Sequence, residues 1–332
     1  MTTGTATEPN SLIRAFRPGV TRFELPIPMP DDIPFDKTFD LAPETVEEVA
    51  PGLRRILADN PGPFTFKGTL TYLVGRGEVA VIDPGPDDPR HLAAILDAVR
   101  GETVTHILVT HTHRDHSPGA ARLKAETGAT VYAEGAHRPA RPLHTGETAR
   151  LDAGGDQAFR PDVTLADGAT VRGNGFTFEA VATPGHTANH MAYAFKEAGV
   201  LLSGDHVMGW STTIVAPPDG AMSDYMASLA KLARRPETVY FPGHGGAIRE
   251  APRFVEYLIR HRHGREASIL HRLEKGPADI PTIVRAVYIG LDARLIGAAG
   301  LSVLAHLEDL VARGAVATDG PPAITGTYRL AG

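Results

Sequence analysis

Residues 106–120 read HILVTHTHRDHSPGA. An apolar run, Ile107, Leu108 and Val109, is followed within six positions by His111, His113, Asp115 and His116. A buried strand that ends in a cluster of ligand-type side chains places them in a loop at a sheet edge, where chemistry is usually done. Four such residues so close together do not form a satisfied core. The same pattern returns further along the chain. ATPGHTANH sets His186 after a Pro-Gly turn, LLSGDHV sets Asp205 at the end of an apolar run, and YFPGHGG sets His244 after another Pro-Gly turn. If these strand ends share one rim, seven nitrogen and oxygen ligands gather in one cluster.

Composition narrows what such a cluster does. Cysteine is absent, which excludes disulfides, thiolate ligands and cysteine nucleophiles and leaves imidazole and carboxylate as donors. The chain has 332 residues, 42% of them hydrophobic, enough for one large and one small domain. No run of 18 apolar residues occurs, and the first residues lack the apolar core of a signal peptide; both point to a cytoplasmic protein without a membrane partner. The net charge of −6 argues against a strongly basic nucleic-acid binder, although residues 251–332 are slightly basic against an acidic remainder.

Around the opening stretch, short apolar strands alternate with turns and helices. FTFKGTLTYLVGRG and EVAVIDPGP precede a helix over 90–100, and ARLKAETG reads as the helix after the histidine loop. The strands resume at TVRGNGFTFEAVATPG, MAYAFKEAGVLLSGD and TVYFPGHG, so a layered domain of mixed β and α structure is expected. Residues 1–44, rich in Pro, Asp and Thr, read as an extension, and 138–170 as a polar insertion or lid. Beyond 251 the strand and histidine rhythm stops. REASILHRLEKG, IPTIVRAVYI and AAGLSVLAHLEDLVARGAV read as three helices before an extended ATDGPPAITGTYRL, the pattern of a winged-helix module. The expected division is 1–44, 45–265 and 266–332.

THTHRDH with the later TPGH, SGD and PGHG resembles the metallo-β-lactamase-fold superfamily. The resemblance implies an αββα sandwich, here followed by the winged-helix-like domain, and a site for two divalent metal ions. It assigns His111, His113 and His186 to the first metal, Asp115, His116 and His244 to the second, and Asp205 to a bridge. Zinc is the first expectation for imidazole and carboxylate donors, with iron or manganese as alternatives. The pair would share a hydroxide nucleophile, with Asp115 as the catalytic group that holds it and accepts its proton. Asp83, in VIDPGP, matches the family's buried carboxylate behind the ligands, and His190 would support them or act as an acid near the leaving group.

The longer match runs from NPGPFTFKGTLTYLVG through TPGHTANHMAY, SGDHVMGWSTTI, FPGHGGAI and RHRHGREASIL, over about residues 45–316. It is similar to the β-lactamase-like protein 2 group, described as endoribonucleases on single-stranded RNA. Leu70, Pro118 and His206 depart from that group's pattern. Three readings stay open: an endoribonuclease on single-stranded RNA, a small-molecule thioester, ester or lactone hydrolase similar to glyoxalase II, and a non-catalytic binding protein. Arg262 and Arg265, spaced i and i+3 on a helix, are the candidate substrate contacts, with Arg272 beside them on the approach. Homo-oligomerisation is left open.

Overall fold

The computed structural model describes residues 33–144 and 154–332. Seven strands form the first sheet in sequence order: β1 (Val46–Ala50), β2 (Leu53–Leu57), β3 (Leu70–Val74), β4 (Glu78–Ile82), β5 (Thr103–Leu108), β6 (Thr130–Ala133) and β7 (Val163–Thr164). The first four are antiparallel neighbours, and β4 through β7 run parallel. The crossovers from β4 to β5 and from β5 to β6 are made by α1 (Pro89–Ala98) and α2 (Gly119–Thr127). Six strands form the second sheet: β8 (Thr170–Gly173), β9 (Phe176–Ala182), β10 (Met191–Phe195), β11 (Val200–Gly204), β12 (Val239–Pro242) and β13 (Ile248–Arg249), again in sequence order. There α3 (Met222–Leu232) joins the one parallel pair, β11 and β12.

Alternation along each strand decides which layer a side chain joins. In β3, Leu70, Tyr72 and Val74 enter the core between the sheets, where they meet Phe178, Met191, Tyr193 and Phe241. Leu73 points the other way and joins Val79, Val81 and Ile107 under Ile95 of α1 and Leu123 of α2. The second sheet repeats this. In β10, Met191, Tyr193 and Phe195 face inward, while the small Ala192 and Ala194 face outward, where α3 and α4 (Ala251–Glu274) pack through Leu229, Phe254 and Leu258. Helix, sheet, sheet and helix are therefore stacked around three apolar layers, the expected αββα sandwich. Buried polar groups also tie the sheets together. Tyr72 OH donates to the carbonyl of Pro242 at 2.7 Å, and Tyr193 OH to that of Val109 at 2.8 Å.

The C-terminal module has its own core, Ile269, Ile283, Val303, Leu307 and Tyr328 among others, formed by the end of α4, α5 (Ile280–Val287) and α6 (Ile296–Ala312). A small sheet closes it, in the order β14 (Ala278–Asp279), β16 (Thr327–Leu330), β15 (Val316–Thr318). This is the expected winged-helix arrangement. By length and composition Ala293–Ala312 is apolar enough to cross a bilayer, and half of that window is buried in the module and against α3.

Two boundaries differ from the sequence reading. REASILHRLEKG, read as the module's first helix, is the end of a helix that starts at Ala251 and runs unbroken for 24 residues to Glu274, so the division at 265 falls inside a helix shared by the sandwich and the module. Phe254 and Leu258 serve one core and Ile269 and Leu273 the other, and one continuous helix satisfies both. The expected 138–170 loop contains β7, and its described parts grip their surroundings. Arg141 pairs with Glu308 of α6, and the Arg114 N–H donates to the Gly154 carbonyl. Residues 145–153 of that loop, and residues 1–32 of the N-terminal extension, lie outside the described residues. Ile33 and Phe39 are buried against the body.

Candidate metal centre

The seven predicted ligands converge. All follow the ends of strands whose termini share one rim: β5 for His111, His113, Asp115 and His116, β9 for His186, β11 for Asp205 and β12 for His244. His113 Nδ1 lies 3.0 Å from both His111 Nε2 and His186 Nε2. Asp115 Oδ2 lies 3.3 Å from His116 Nε2 and from His244 Nε2. Asp205 stands between the two groups, with Oδ2 at 4.0 Å from His111 Nε2, 3.8 Å from His186 Nε2 and 3.2 Å from His244 Nε2, and Oδ1 at 3.5 Å from His116 Nε2.

The hydrogen bonds behind the rings assign each tautomer. His111 Nδ1–H donates to Thr110 Oγ1, which donates to Asp83 Oδ2, while Asp83 Oδ1 accepts the Thr110 N–H at 2.7 Å. His116 Nδ1–H donates to Asp83 directly at 2.9 Å. His186 donates to the Ile214 carbonyl, His244 to the Gly68 carbonyl, and His113, through Nε2, to Asp219 Oδ2. Every imidazole thus has one nitrogen held by an oxygen behind it and turns the lone pair of the other inward.

Three such lone pairs meeting at 3.0 Å with no donor between them repel unless a cation lies among them. His116 Nε2 and Asp205 Oδ1 are likewise buried without a hydrogen-bond partner among the described residues. The donor set fits divalent metal ions, and the groups His111–His113–His186, His111–His116–Asp205 and Asp115–His116–His244 each place their ligand atoms close enough to share one.

The two sides of the cluster differ electrically. On the imidazole side, burial and the neighbouring rings hold His111 well below its ordinary pKa and His186 down to about 4, while at His113 burial is outweighed by Asp219 and its pKa is raised. On the carboxylate side burial opposes charging, but Asp205 and Asp115 outweigh it. They raise His244 to about 10 and, with Asp83, His116 well above the usual imidazole range. Burial likewise opposes ionisation of Asp115 and Asp205, and the facing imidazoles overcome it and hold both carboxyls well below the ordinary range. The field that would keep protons on His116 and His244 is one that favours a metal cation in their place.

Asp83, which bonds to His116 and Thr110, lies just after β4 at a left-handed φ of 50°. His190 lies behind the cluster. Its Nε2 accepts the Asp205 N–H at 3.1 Å and its Nδ1–H donates to Thr183 Oγ1, so both nitrogens are engaged and it holds the backbone of Asp205. Asp219, in the turn after Pro217–Pro218, was not foreseen. Nothing local marks it, because the ring it holds is 106 residues away. Thr69, whose hydroxyl donates to Asp115 Oδ2 at 2.9 Å, was missed for the same reason.

The basic approach expected of Arg262, Arg265 and Arg272 is not an open track. Arg262 is only 3% exposed and donates to the Thr213 carbonyl and Ser302 Oγ. Arg265 donates to the Val287 carbonyl and lies over the Tyr288 ring, and Arg272 donates to the Gly276 carbonyl at the end of α4.

Residues 64–244 match the model of the Metallo-beta-lactamase superfamily, and residues 280–321 that of the Beta-lactamase associated winged helix domain. The chain is 33% identical over 236 residues to a beta-lactamase-like protein 2 homolog of Caenorhabditis elegans, covering 70% of this chain and 74% of that one. It is 31% identical over 234 residues to an atrochrysone carboxyl ACP thioesterase of Passalora fulva, covering 69% and 63%. Among solved structures it is similar to a metallo-beta-lactamase family protein from Thermus thermophilus, with a TM-score of 0.68, 26% identity, and 84% and 99% of the two chains covered.

Proposed function

Since this chain belongs to the metallo-beta-lactamase superfamily and is a hydrolase of that fold with a buried histidine and aspartate metal-binding cluster, we propose that it hydrolyses a thioester of a small acyl group. The observation that carries this reading is the approach to the centre. Beside it, through Ile214 and Trp210, lies a half-open, mainly apolar cavity of about 410 Å³, of a size for a small organic group. A relative named as a thioesterase agrees with it. The winged helix favours RNA, but Arg262 and Arg265 line a cavity wall, with Arg262 buried, and do not form an open track for a phosphate backbone, while Arg272 donates to the Gly276 carbonyl.

In this reading His111, His113 and His186 hold one divalent ion, Asp115, His116 and His244 hold a second, and Asp205 lies between them. Zinc is the proposed metal. Bound there, the ions would supply Lewis acidity and lower the pKa of water towards neutrality. The protein's share is positional. Asp83, Asp219 and the carbonyls of Ile214 and Gly68 hold the outward protons of the rings, so each lone pair stays aimed inward. Asp115, with its side chain 26% exposed, is the carboxylate nearest the open side, and Thr69 fixes its Oδ2. It is the proposed acceptor of the proton that the attacking water loses. Water oxygen bonds to the acyl carbon, the carbon–sulfur bond breaks, and the leaving sulfur takes a proton to give a thiol and a carboxylate.

Purified, zinc-loaded protein assayed in parallel on N-acetylcysteamine thioesters and single-stranded RNA tests this. Thiol release that stops on chelation, returns with zinc and changes little with salt is expected. RNA cleavage well above any thioester turnover, falling steeply with salt, would overturn it.

A further inference from the structure

The cavity lies between the sandwich and the C-terminal module, and no metal-centre ligand lines it. Two of its wall residues nevertheless touch the centre. Ile214 accepts the Nδ1–H of His186 at 2.7 Å, and the Trp210 ring packs against Gly245, the residue after His244. Most of the wall is apolar, with Phe35, Phe64, Met208 and Leu291 beside Trp210 and Ile214.

Among the described residues its charged groups all have one sign: Lys37, Arg262 and Arg265 line it and no described aspartate or glutamate does, in a chain whose net charge is −6. The partners of Arg262 are neutral: the Thr213 carbonyl, Ser302 Oγ and, 5.1 Å away, the ring of Tyr225. Those of Arg265 are the Val287 carbonyl, the His261 ring and the ring of Tyr288 at 4.5 Å. Among the described residues no carboxylate pairs with either guanidinium. A buried cation without a counter-ion is costly, and neutral dipoles offset that cost only in part. The missing partner is an anion, and planar guanidinium forks suit a carboxylate.

Building on the thioesterase reading, we propose that this cavity is the acyl-specificity pocket and receives a largely apolar acyl group whose far end carries a carboxylate. The thioester carbonyl then lies at the Ile214 and Trp210 wall, towards the metal centre. The far carboxylate meets Arg262 and Arg265, and hydrolysis yields a dicarboxylate and a thiol.

Trp210 is the only tryptophan in the chain, so intrinsic fluorescence reports on this cavity directly. The full-length, zinc-loaded protein is titrated with monomethyl suberate, which has one carboxylate, and with dimethyl suberate, which has none. The monoester should change the emission at a concentration about tenfold lower or more, and Arg265→Met should erase the difference. Lys37→Met, at the exposed rim, should reduce it less, which keeps the test valid if Arg265→Met misfolds. In the turnover arm, the N-acetylcysteamine thioester of suberate is compared with its methyl-ester-capped counterpart. The wild-type kcat/KM ratio should be about ten or more, mainly through KM, and near one in Arg265→Met. Equal emission responses to the two probes, or a turnover ratio that Arg265→Met leaves unchanged, would overturn the pocket. No turnover of any thioester would instead overturn the thioesterase reading, and the emission titration then decides the pocket independently.

Discussion

Two groups of buried histidines sit in opposite fields. At the metal centre, burial disfavours charge on His116 and His244, yet the carboxylates of Asp115 and Asp205 overcome it and hold His244 at about 10. On the cavity side burial is joined by Arg262 and Arg265, and His261 is pushed down to about 3. His306 of α6 falls well below its ordinary range, through burial and then Arg262, His261, Arg313 and Arg265. One region therefore favours a cation and the other rejects one. The loop from Asp205 to Ile214 joins them, because Thr213 donates to the Asp205 carbonyl and accepts from Arg262. A cation site beside an anion site suits a substrate whose scissile bond and negative charge lie at opposite ends.

The largest effect is expected where the cation-favouring region depends on a single group. Asp205→Ala removes the carboxylate that stands between the two halves of the cluster. Zinc content by elemental analysis should fall below one ion per chain and turnover to near background, while far-ultraviolet circular dichroism stays native, because the sheet cores do not involve this side chain. Two tightly bound ions in Asp205→Ala would show that the halves are independent.

Smaller but still large losses should follow from groups that only place the ligands. Gly243 lies where a Cβ would overlap Asp205 Oδ1 and approach His116 Cε1 to 2.6 Å. Gly243→Ala must therefore displace a ligand, and competition with a chelator should show weakened zinc. Asp219→Asn and Asp83→Asn keep the shape but weaken the acceptors behind His113 and His116, which should cost about 10–100-fold in metal affinity. Arg265→Met should leave zinc affinity within error. A drop there as large as in Asp219→Asn would mean that the two regions form one site and the contrast between them fails.

The two regions were also unequally legible in the sequence. The ligands, the order of strands and the winged-helix pattern follow from local rules: an apolar strand, a turn, then a polar side chain at the strand's end. His111 to His116, TPGH, SGD and PGHG each carry that signal within a few residues. Asp219 and Thr69, which hold ligands in place, do not, because Asp219 meets His113 across the two sheets and Thr69 meets Asp115 along the rim of the first sheet from 46 residues away. The cavity was invisible for a related reason. Helical spacing offers its arginines to solvent, to a phosphate or to a substrate carboxylate, since it says which residues share a face and not what covers it. The unbroken helix α4 brings Arg262 under Thr213 and against Ser302 of α6, contacts 49 and 40 residues apart.

The smallest predicted effect tests the cation-rejecting region by itself. His306 is fully buried and neither ring nitrogen has a hydrogen-bond partner among the described residues. The groups facing it are Arg262, His261 and Arg265 from α4 and Arg313 from the end of its own helix. In the unfolded chain it binds a proton near pH 6.5; in the folded protein it does so only well below that. As pH falls through 6.5 the unfolded state therefore gains protons that the folded state does not. Stability is lost by up to about 1.4 kcal/mol per pH unit for this one group. His306→Phe keeps a ring in the core and removes the titration. Urea midpoints of wild type and variant, in the same metal state, should be close at pH 8 and diverge between pH 6.5 and 5.5, with the variant the more stable. Differencing cancels the opposite contribution of His116 and His244, which both proteins share. Parallel curves across that window would mean that His306 carries a proton in the folded protein, and that the arginines around the cavity do not reject positive charge.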